Sequence, residues 1–140
     1  MSVYISLLRG INVSGQKKIQ MRELKSLYES LGFENVSTYI QSGNVVFSSN
    51  ENDESKLANL ISAKIRKVFS YEVSVIIRSK EYWKNLIAKN PFLKKDNTDI
   101  KKMHVTILSH RRDYQKLEYS KQANGHSQQL SFEYYILNEF

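Results

Sequence analysis

Cysteine is absent from the 140-residue chain, and proline and tryptophan occur once each. The absence of cysteine excludes disulfide bonds, thiolate-bound metals and a cysteine nucleophile. No apolar run approaches the roughly 20 residues that a transmembrane helix needs, and the N-terminal residues lack the basic segment of a secretory signal peptide. We therefore predict a cytoplasmic protein that makes no contact with a membrane.

The formal net charge of +7 is concentrated in two segments. Residues 1–22 contain four bases and no acid, and residues 80–121 contain eleven bases and five acids, whereas the rest of the chain is slightly acidic. Such a balance favours anionic partners, including nucleic acid and phosphorylated metabolites. The alternative is a solvated lysine-rich surface without a partner, which the composition alone favours.

Hydrophobic periodicity predicts the order β-α-β-β-α-β for residues 3–77. Leu24, Leu27 and Leu31 recur at helical spacing, and Gly32 follows them where a glycine ends many helices. Asp53 is positioned to cap the second helix. The predicted strands are 3–8, 36–40, 45–47 and 72–77, and the predicted helices are 21–31 and a second one with Leu57, Leu60, Ile61, Ile65 and Val68 on one face.

This order is typical of a ferredoxin-like subdomain, in which right-handed crossovers place both helices on one face of a four-stranded sheet. We assign residues 1–79 to that subdomain. The helix and strand signals become weaker in residues 80–140, which predicts a second, smaller and incomplete α+β subdomain packed on the first. The predicted fold class is therefore α+β, with two subdomains.

The segment best suited to bind a ligand is the loop Arg9–Lys18, between the first strand and the first helix. Its two glycines allow backbone N–H groups to approach a ligand, the following helix N-terminus adds partial positive charge, and its three bases add full charges. The spacing of a phosphate-binding P-loop fails, because Gln16 follows Gly15 where that motif needs lysine. We therefore exclude nucleotide hydrolysis. An alternative of equal weight is that the glycines only form tight turns and the lysines are solvated.

A second polar segment, residues 38–44, lies on a predicted hairpin whose turn is Ser42-Gly43-Asn44. Its side chains Tyr39, Gln41 and Asn44 could line a site, although the last two more often stabilise the backbone of such a turn. We predict that loop and hairpin together bind an anionic ligand, either nucleic acid or a phosphorylated metabolite. The predicted ligand-binding residues are Arg9, Gly10, Asn12, Gly15, Lys17, Lys18, Gln41 and Asn44.

No catalytic or metal-binding group stands out in the sequence. His104, His110 and His126 lack metal-ligand spacing, and the carboxylates do not pair as an acid–base couple would. We predict no metal and no cofactor, and two alternatives to a binding module stay open. One is an enzyme that holds a substrate phosphate or carboxylate in the loop. The other is a protein-interaction or oligomerisation domain.

Two strings carry a resemblance to a known family. LLRGIN at residues 7–12 and TYIQSGNVVF at residues 38–47 closely resemble the bacterial family called domain of unknown function 1697, DUF1697. The resemblance implies two α+β subdomains, each loosely ferredoxin-like, and it implies no activity, substrate or cofactor. Members of that family usually end in a segment rich in Thr, Arg, Asn and Trp, which is missing after Leu108. We expect the end of this chain to be either truncated or diverged.

Overall fold

The computed structural model describes residues 1–89. The predictions for residues 90–140, including the strand at 103–108 and the three histidines, lie outside the described residues. Contacts along the chain divide it into two units, Met1–Trp83 and Lys84–Phe140. The proposed subdomain boundary at residue 79 stays a prediction.

The described residues follow the predicted order of elements. The elements are β1 (Ser2–Arg9), α1 (Met21–Ser30), β2 (Glu34–Tyr39), β3 (Asn44–Ser49), α2 (Glu54–Phe69), β4 (Ser74–Ser79) and α3 (Lys80–Ala88). The four strands form one sheet in the order β2-β3-β1-β4, and every neighbouring pair is antiparallel. The prediction of an α+β fold is confirmed.

Both α1 and α2 cover the same face of the sheet, where they also contact each other. Alternate residues of β1 point into this layer, since Tyr4, Ser6 and Leu8 are buried while Ile5 and Leu7 between them are only partly buried. Burying one large apolar side chain contributes roughly 1.5–3 kcal/mol, so this layer supplies most of the stability. Its fully buried side chains include Leu24 and Tyr28 of α1, Leu57, Ile61 and Ile65 of α2, and Val45 and Phe47 of β3.

The buried face of α2 is narrower than the apolar pattern of the sequence predicted. Leu57, Ile61 and Ile65 are fully buried, as predicted, but Leu60 and Val68 are 46% and 53% exposed. Leu60 lies about 60° around the helix from Leu57, and Val68 lies in the last turn. The buried residues of α2 are those at intervals of four, so the prediction for Leu60 and Val68 was wrong.

The predicted helix ends are confirmed. Gly32 follows α1 with a φ of +83°, the left-handed conformation that glycine adopts without strain. The Asp53 carboxylate accepts hydrogen bonds from the backbone N–H groups of Ser55 and Lys56 at 2.9 and 3.1 Å, which caps α2. Among the residues that the structure describes, no helix is long and apolar enough to cross a membrane.

Candidate functional site

The two segments predicted to bind a ligand lie at the same end of the sheet. Strands β1 and β2 run in the same direction because each is antiparallel to β3. The loop after β1 and the hairpin turn after β2 therefore meet at one end, which we call the loop end (residues 9–22 and 39–44). The opposite end, where α2 begins, is called the cap end (residues 49–56).

Asn12 joins the loop to the hairpin turn. Its Nδ2 group donates hydrogen bonds to the carbonyl oxygens of Ile19 at 2.9 Å and Gln41 at 2.8 Å. Its Oδ1 atom accepts a hydrogen bond from the N–H of Ile19 at 2.8 Å. Both amide donors are thus used within the protein, and a ligand would have to break one of these bonds to reach them. Ligand contact by Asn12 stays a prediction, and its observed contacts give it a positioning role.

Gly43 brings the turn into direct contact with the end of β1. Its φ is +88°, and a Cβ atom at this position would lie 2.7 Å from Ile11 Cδ1 and 2.8 Å from Leu8 Cβ. The N–H of Leu8 also donates a hydrogen bond to the Gly43 carbonyl at 3.1 Å. Only glycine fits such a close approach. Sequence reasoning identified Gly43 as a turn residue but missed this contact, since its partners are 32 and 35 residues earlier in the chain.

Two of the predicted basic side chains are available to a ligand. Arg9 and Lys18 are exposed, and neither has an ion pair or hydrogen bond from its charged group among the described residues. The third, Lys17, is half-buried, and its Nζ donates a hydrogen bond to the carbonyl oxygen of Glu72 at 2.6 Å. An ammonium group carries three donors, so Lys17 keeps two of them while it ties the loop to the residues before β4.

The first turn of α1 begins at the loop end without a side-chain cap. Gln20 occupies the N-cap position with extended backbone angles and makes no side-chain cap hydrogen bond. The first intrahelical bond runs from the N–H of Leu24 to the carbonyl of Gln20. Among the described residues, no side chain caps the N–H groups that precede Leu24, so they are left to solvent or to an anion. One carboxylate, that of Glu23, lies in the same turn and offsets part of the positive charge of the helix terminus.

The two predicted glycines both make turns. Gly10 and Gly15 have φ values of +76° and +72°, and three other loop residues also have positive φ. A short antiparallel bridge between Val13 and Gln16 closes the tip of the loop. Glycine adopts such angles without strain, so the chain path favours it at both positions, whereas backbone approach to a ligand at Gly10 or Gly15 stays a prediction.

The two polar residues of the hairpin have different surroundings. Asn44 Nδ2 donates a hydrogen bond to Ser42 Oγ at 3.2 Å, which stabilises the turn. Gln41 is exposed and contributes its carbonyl to the bond from Asn12. All eight predicted residues thus belong to the loop end, but only Arg9, Lys18 and Gln41 present exposed polar side chains there.

Exposed apolar side chains also lie at the loop end. Val13, Tyr39 and Ile40 are 58%, 69% and 60% exposed. Ile40 has a φ of +52°, which a β-branched residue rarely adopts. No sequence signal pointed to Val13 or Ile40, because apolar residues beside a strand are normally expected in the core.

Acidic residues are concentrated at the cap end. Glu51 forms an ion pair with Lys56, and the hydrogen bond from Lys56 is the main cause that lowers the pKa of the Glu51 carboxyl. Glu54 accepts a hydrogen bond from the Ser79 N–H at 2.9 Å and pairs with Arg78. Within residues 1–89, no cluster of three metal-ligating side chains occurs.

Comparisons with known proteins agree with the resemblance in the sequence. The profile of a family described as a protein of unknown function, DUF1697, matches residues 1–135. A solved structure of a conserved bacterial protein from Streptococcus pneumoniae is similar, with a TM-score of 0.60 and 30% sequence identity over 68% of this chain and 53% of that one. The chain thus spans about half the length of that protein, and no curated protein matches it. The chain belongs to the DUF1697 family.

Proposed function

We propose that the chain is a binding module for an anionic ligand, held at the loop end. The observation that carries this proposal is the combination of two exposed bases, Arg9 and Lys18, with an uncapped helix N-terminus in one loop; neither base is paired within residues 1–89. A helix N-terminus attracts anions because its N–H groups have no intrahelical acceptor. Full positive charges beside it add to that attraction.

The contacts behind the loop support the same proposal. The Asn12 amide and the Gly43–Ile11 contact hold the loop against the hairpin turn before any ligand arrives. A loop that is already ordered loses less conformational entropy on binding, which increases affinity. Two acidic residues adjoin the loop: Glu23 lies in the first turn of α1, and Glu72, whose carbonyl accepts the bond from Lys17, pairs its carboxylate with Arg66 at 3.3 Å.

A titration with inorganic pyrophosphate, followed by ¹⁵N–¹H NMR, tests the proposal. We expect pyrophosphate to shift the amide signals of residues 10–24 more than those of the cap end. The double variant Arg9→Ala with Lys18→Ala should lose these shifts, because it removes the two unpaired charges. Lys25→Ala with Lys80→Ala is the matched control, since it removes the same charge elsewhere on the surface.

Shifts that are absent, or that spread evenly over the surface, would contradict the proposal. An equal loss of binding in the control variant would do so as well, since binding would then depend only on net charge.

A further inference from the structure

The strand register places Tyr39 on the face of the sheet opposite to α1 and α2. Tyr39 pairs with Asn44, and Asn44 pairs with Leu7. Residues that pair directly across antiparallel strands point to the same face. Leu7 lies between Ser6 and Leu8, which face the helices, so Leu7 and its two partners face the other way. Tyr39 ends an edge strand there, with 69% of its surface exposed.

Arg9 lies on the same face as Tyr39. It follows Leu7 by two residues in β1, and alternate residues of a strand share a face. Tyr39 and Leu7 are separated by one intervening strand, which corresponds to roughly 10 Å between their backbones. An exposed aromatic ring and an exposed guanidinium group thus lie on one face at the loop end of the sheet, Tyr39 on the edge strand β2 and Arg9 on the central strand β1.

On the basis of the anion-binding function proposed above, we propose that the ligand is a single-stranded nucleic acid. Its phosphates contact Arg9 and Lys18, and one unpaired base stacks on the ring of Tyr39. Proteins that bind single strands combine a positively charged surface along the backbone with aromatic side chains that stack bases. The surface formed by Tyr39, Arg9 and the loop has both features.

The exposure of these side chains favours an extended ligand over a small metabolite. A small-molecule site is concave and buries most of its ligand, whereas Arg9, Lys18 and Tyr39 are all exposed. A base inside a duplex has no free face for stacking, so a single strand fits better than a double helix. The strained backbone of Ile40 next to Tyr39 is consistent with a binding role, because residues in rare conformations cluster at functional sites.

This arrangement differs from that of RRM domains. Those domains stack bases on aromatic residues of the central strands. Here the central strands β1 and β3 present Ile5, Leu7 and Val46 on the face opposite to the helices. We therefore place the stacking contact at the edge of the sheet only.

Fluorescence anisotropy with labelled oligonucleotides tests the proposal. The probes are single-stranded RNA, single-stranded DNA and duplex DNA of matched length, and the full chain is compared with Tyr39→Ala and Tyr39→Phe. We expect Tyr39→Ala to weaken single-strand binding by about 5- to 150-fold, the range expected for loss of one stacked base. Tyr39→Phe keeps the ring and should bind like the wild type. A comparison of the two single-stranded probes shows whether the protein prefers RNA or DNA.

A salt series separates stacking from charge. The variant Arg9→Ala with Lys18→Ala should reduce the dependence of log K on log salt by about 1.4, which corresponds to two phosphate contacts with a single strand. Tyr39→Ala should leave this slope unchanged, because stacking releases no counterions.

Equal binding of duplex and single strand, or equal binding by Tyr39→Ala and wild type, would overturn the proposal. If pyrophosphate still shifts the loop amides in that case, the anion site remains and only the nucleic-acid inference is wrong. If neither pyrophosphate nor any oligonucleotide binds, the proposed function itself is wrong.

Discussion

The two ends of the sheet differ in charge and in capping, although a helix begins at each of them. At the cap end, Asp53 satisfies two N–H groups of α2, and Glu51 is paired with Lys56. At the loop end, Gln20 leaves the first turn of α1 uncapped, and the nearby bases Arg9 and Lys18 have no ion pair within the part of the chain that the structure describes. The cap end is thus satisfied internally, whereas the loop end offers donors and charge to an outside partner.

This difference indicates that the loop end, and not the cap end, has hydrogen-bond donors and positive charges that an outside ligand can contact. Side-chain caps typically add about 1 kcal/mol to a helix, and serine, threonine, aspartate and asparagine supply them readily. The loop end lacks such a residue at position 20 and is instead held by Asn12 and Gly43, which contact other parts of the chain. Its order comes from tertiary contacts, and its open N–H groups remain available.

The largest expected effect is on the contact that holds the loop end together. Gly43→Ala should lower the free energy of unfolding by about 3 kcal/mol, because the new methyl group overlaps Ile11 and Leu8 at a positive φ. Urea unfolding measures this loss. Gly10→Ala is the matched control, with a φ of +76° but no atom within 4 Å of the added Cβ. Equal losses in the two variants would show that backbone strain alone, and not the contact, matters.

Loss of the Asn12 amide should have the next largest effect. Asn12→Ala removes three hydrogen bonds and leaves the Ile19 N–H without its acceptor, which should cost about 2 kcal/mol. Amide hydrogen exchange should become faster at Ile19, and pyrophosphate binding should weaken. Asn44→Ala, which loses only an exposed bond to Ser42, should change the free energy of unfolding by less than about 0.5 kcal/mol. Comparable losses would mean that the loop is not held through Asn12.

The core between the two ends should make the protein less stable at alkaline pH. Burial raises the pKa of the Tyr28 hydroxyl, although its hydrogen bond with Ser6 at 2.7 Å acts in the opposite direction. Above about pH 10 the unfolded chain ionises this tyrosine while the folded protein keeps it protonated, so the unfolded state binds fewer protons. Stability should therefore fall with rising pH, by up to about 1.4 kcal/mol per pH unit.

When unfolding is measured across this pH range, Tyr28→Phe should lack the part of the decrease in stability that the ionisation of Tyr28 causes. The variant should also lose about 1 kcal/mol at neutral pH, since one hydrogen bond is removed. Ser6→Ala should lower stability but keep the alkaline slope, because Tyr28 remains buried. An unchanged slope in Tyr28→Phe would assign the pH dependence to another group.

The smallest expected effects come from exchanging the capping properties of the two ends. Gln20→Asp should stabilise the protein by about 1 kcal/mol and weaken pyrophosphate binding, because the new carboxylate occupies the open N–H groups of α1. Gln20→Ser adds a neutral cap and separates capping from charge. Asp53→Ala should destabilise by a similar amount without affecting binding. Unchanged pyrophosphate binding in Gln20→Asp would exclude the start of α1 as the anion site.

Local patterns in the sequence predicted most of the described fold. The helical spacing of Leu24, Leu27 and Leu31 located α1. The turn residues 42–44 between two β-rich segments located the hairpin. Asp53 and Gly32 marked helix ends because capping depends on residues within one turn. The apolar positions Leu60 and Val68 were misjudged because burial depends on the width of the partner surface, which a single helix pattern does not contain.

The candidate site was predicted in its parts but not in its geometry. Charge and glycine content pointed to the loop, and turn residues pointed to Gln41 and Asn44. The side chains that remain available were not predictable, because the Nζ of Lys17 binds a carbonyl 55 residues away and the Asn12 amide binds one 29 residues away. The exposure of Tyr39 and Ile40 likewise depends on their place at a sheet edge.

The order of helices and strands, the helix caps and the positive charge before α1 follow from the sequence, since each depends on neighbouring residues. The tertiary structure decided that the loop and the turn meet at one end, that only glycine fits at position 43, and which bases of residues 1–89 lack a partner in that part of the chain. Those features depend on contacts between residues distant in the chain. Such contacts exist only after the strands have paired in their register and formed the sheet.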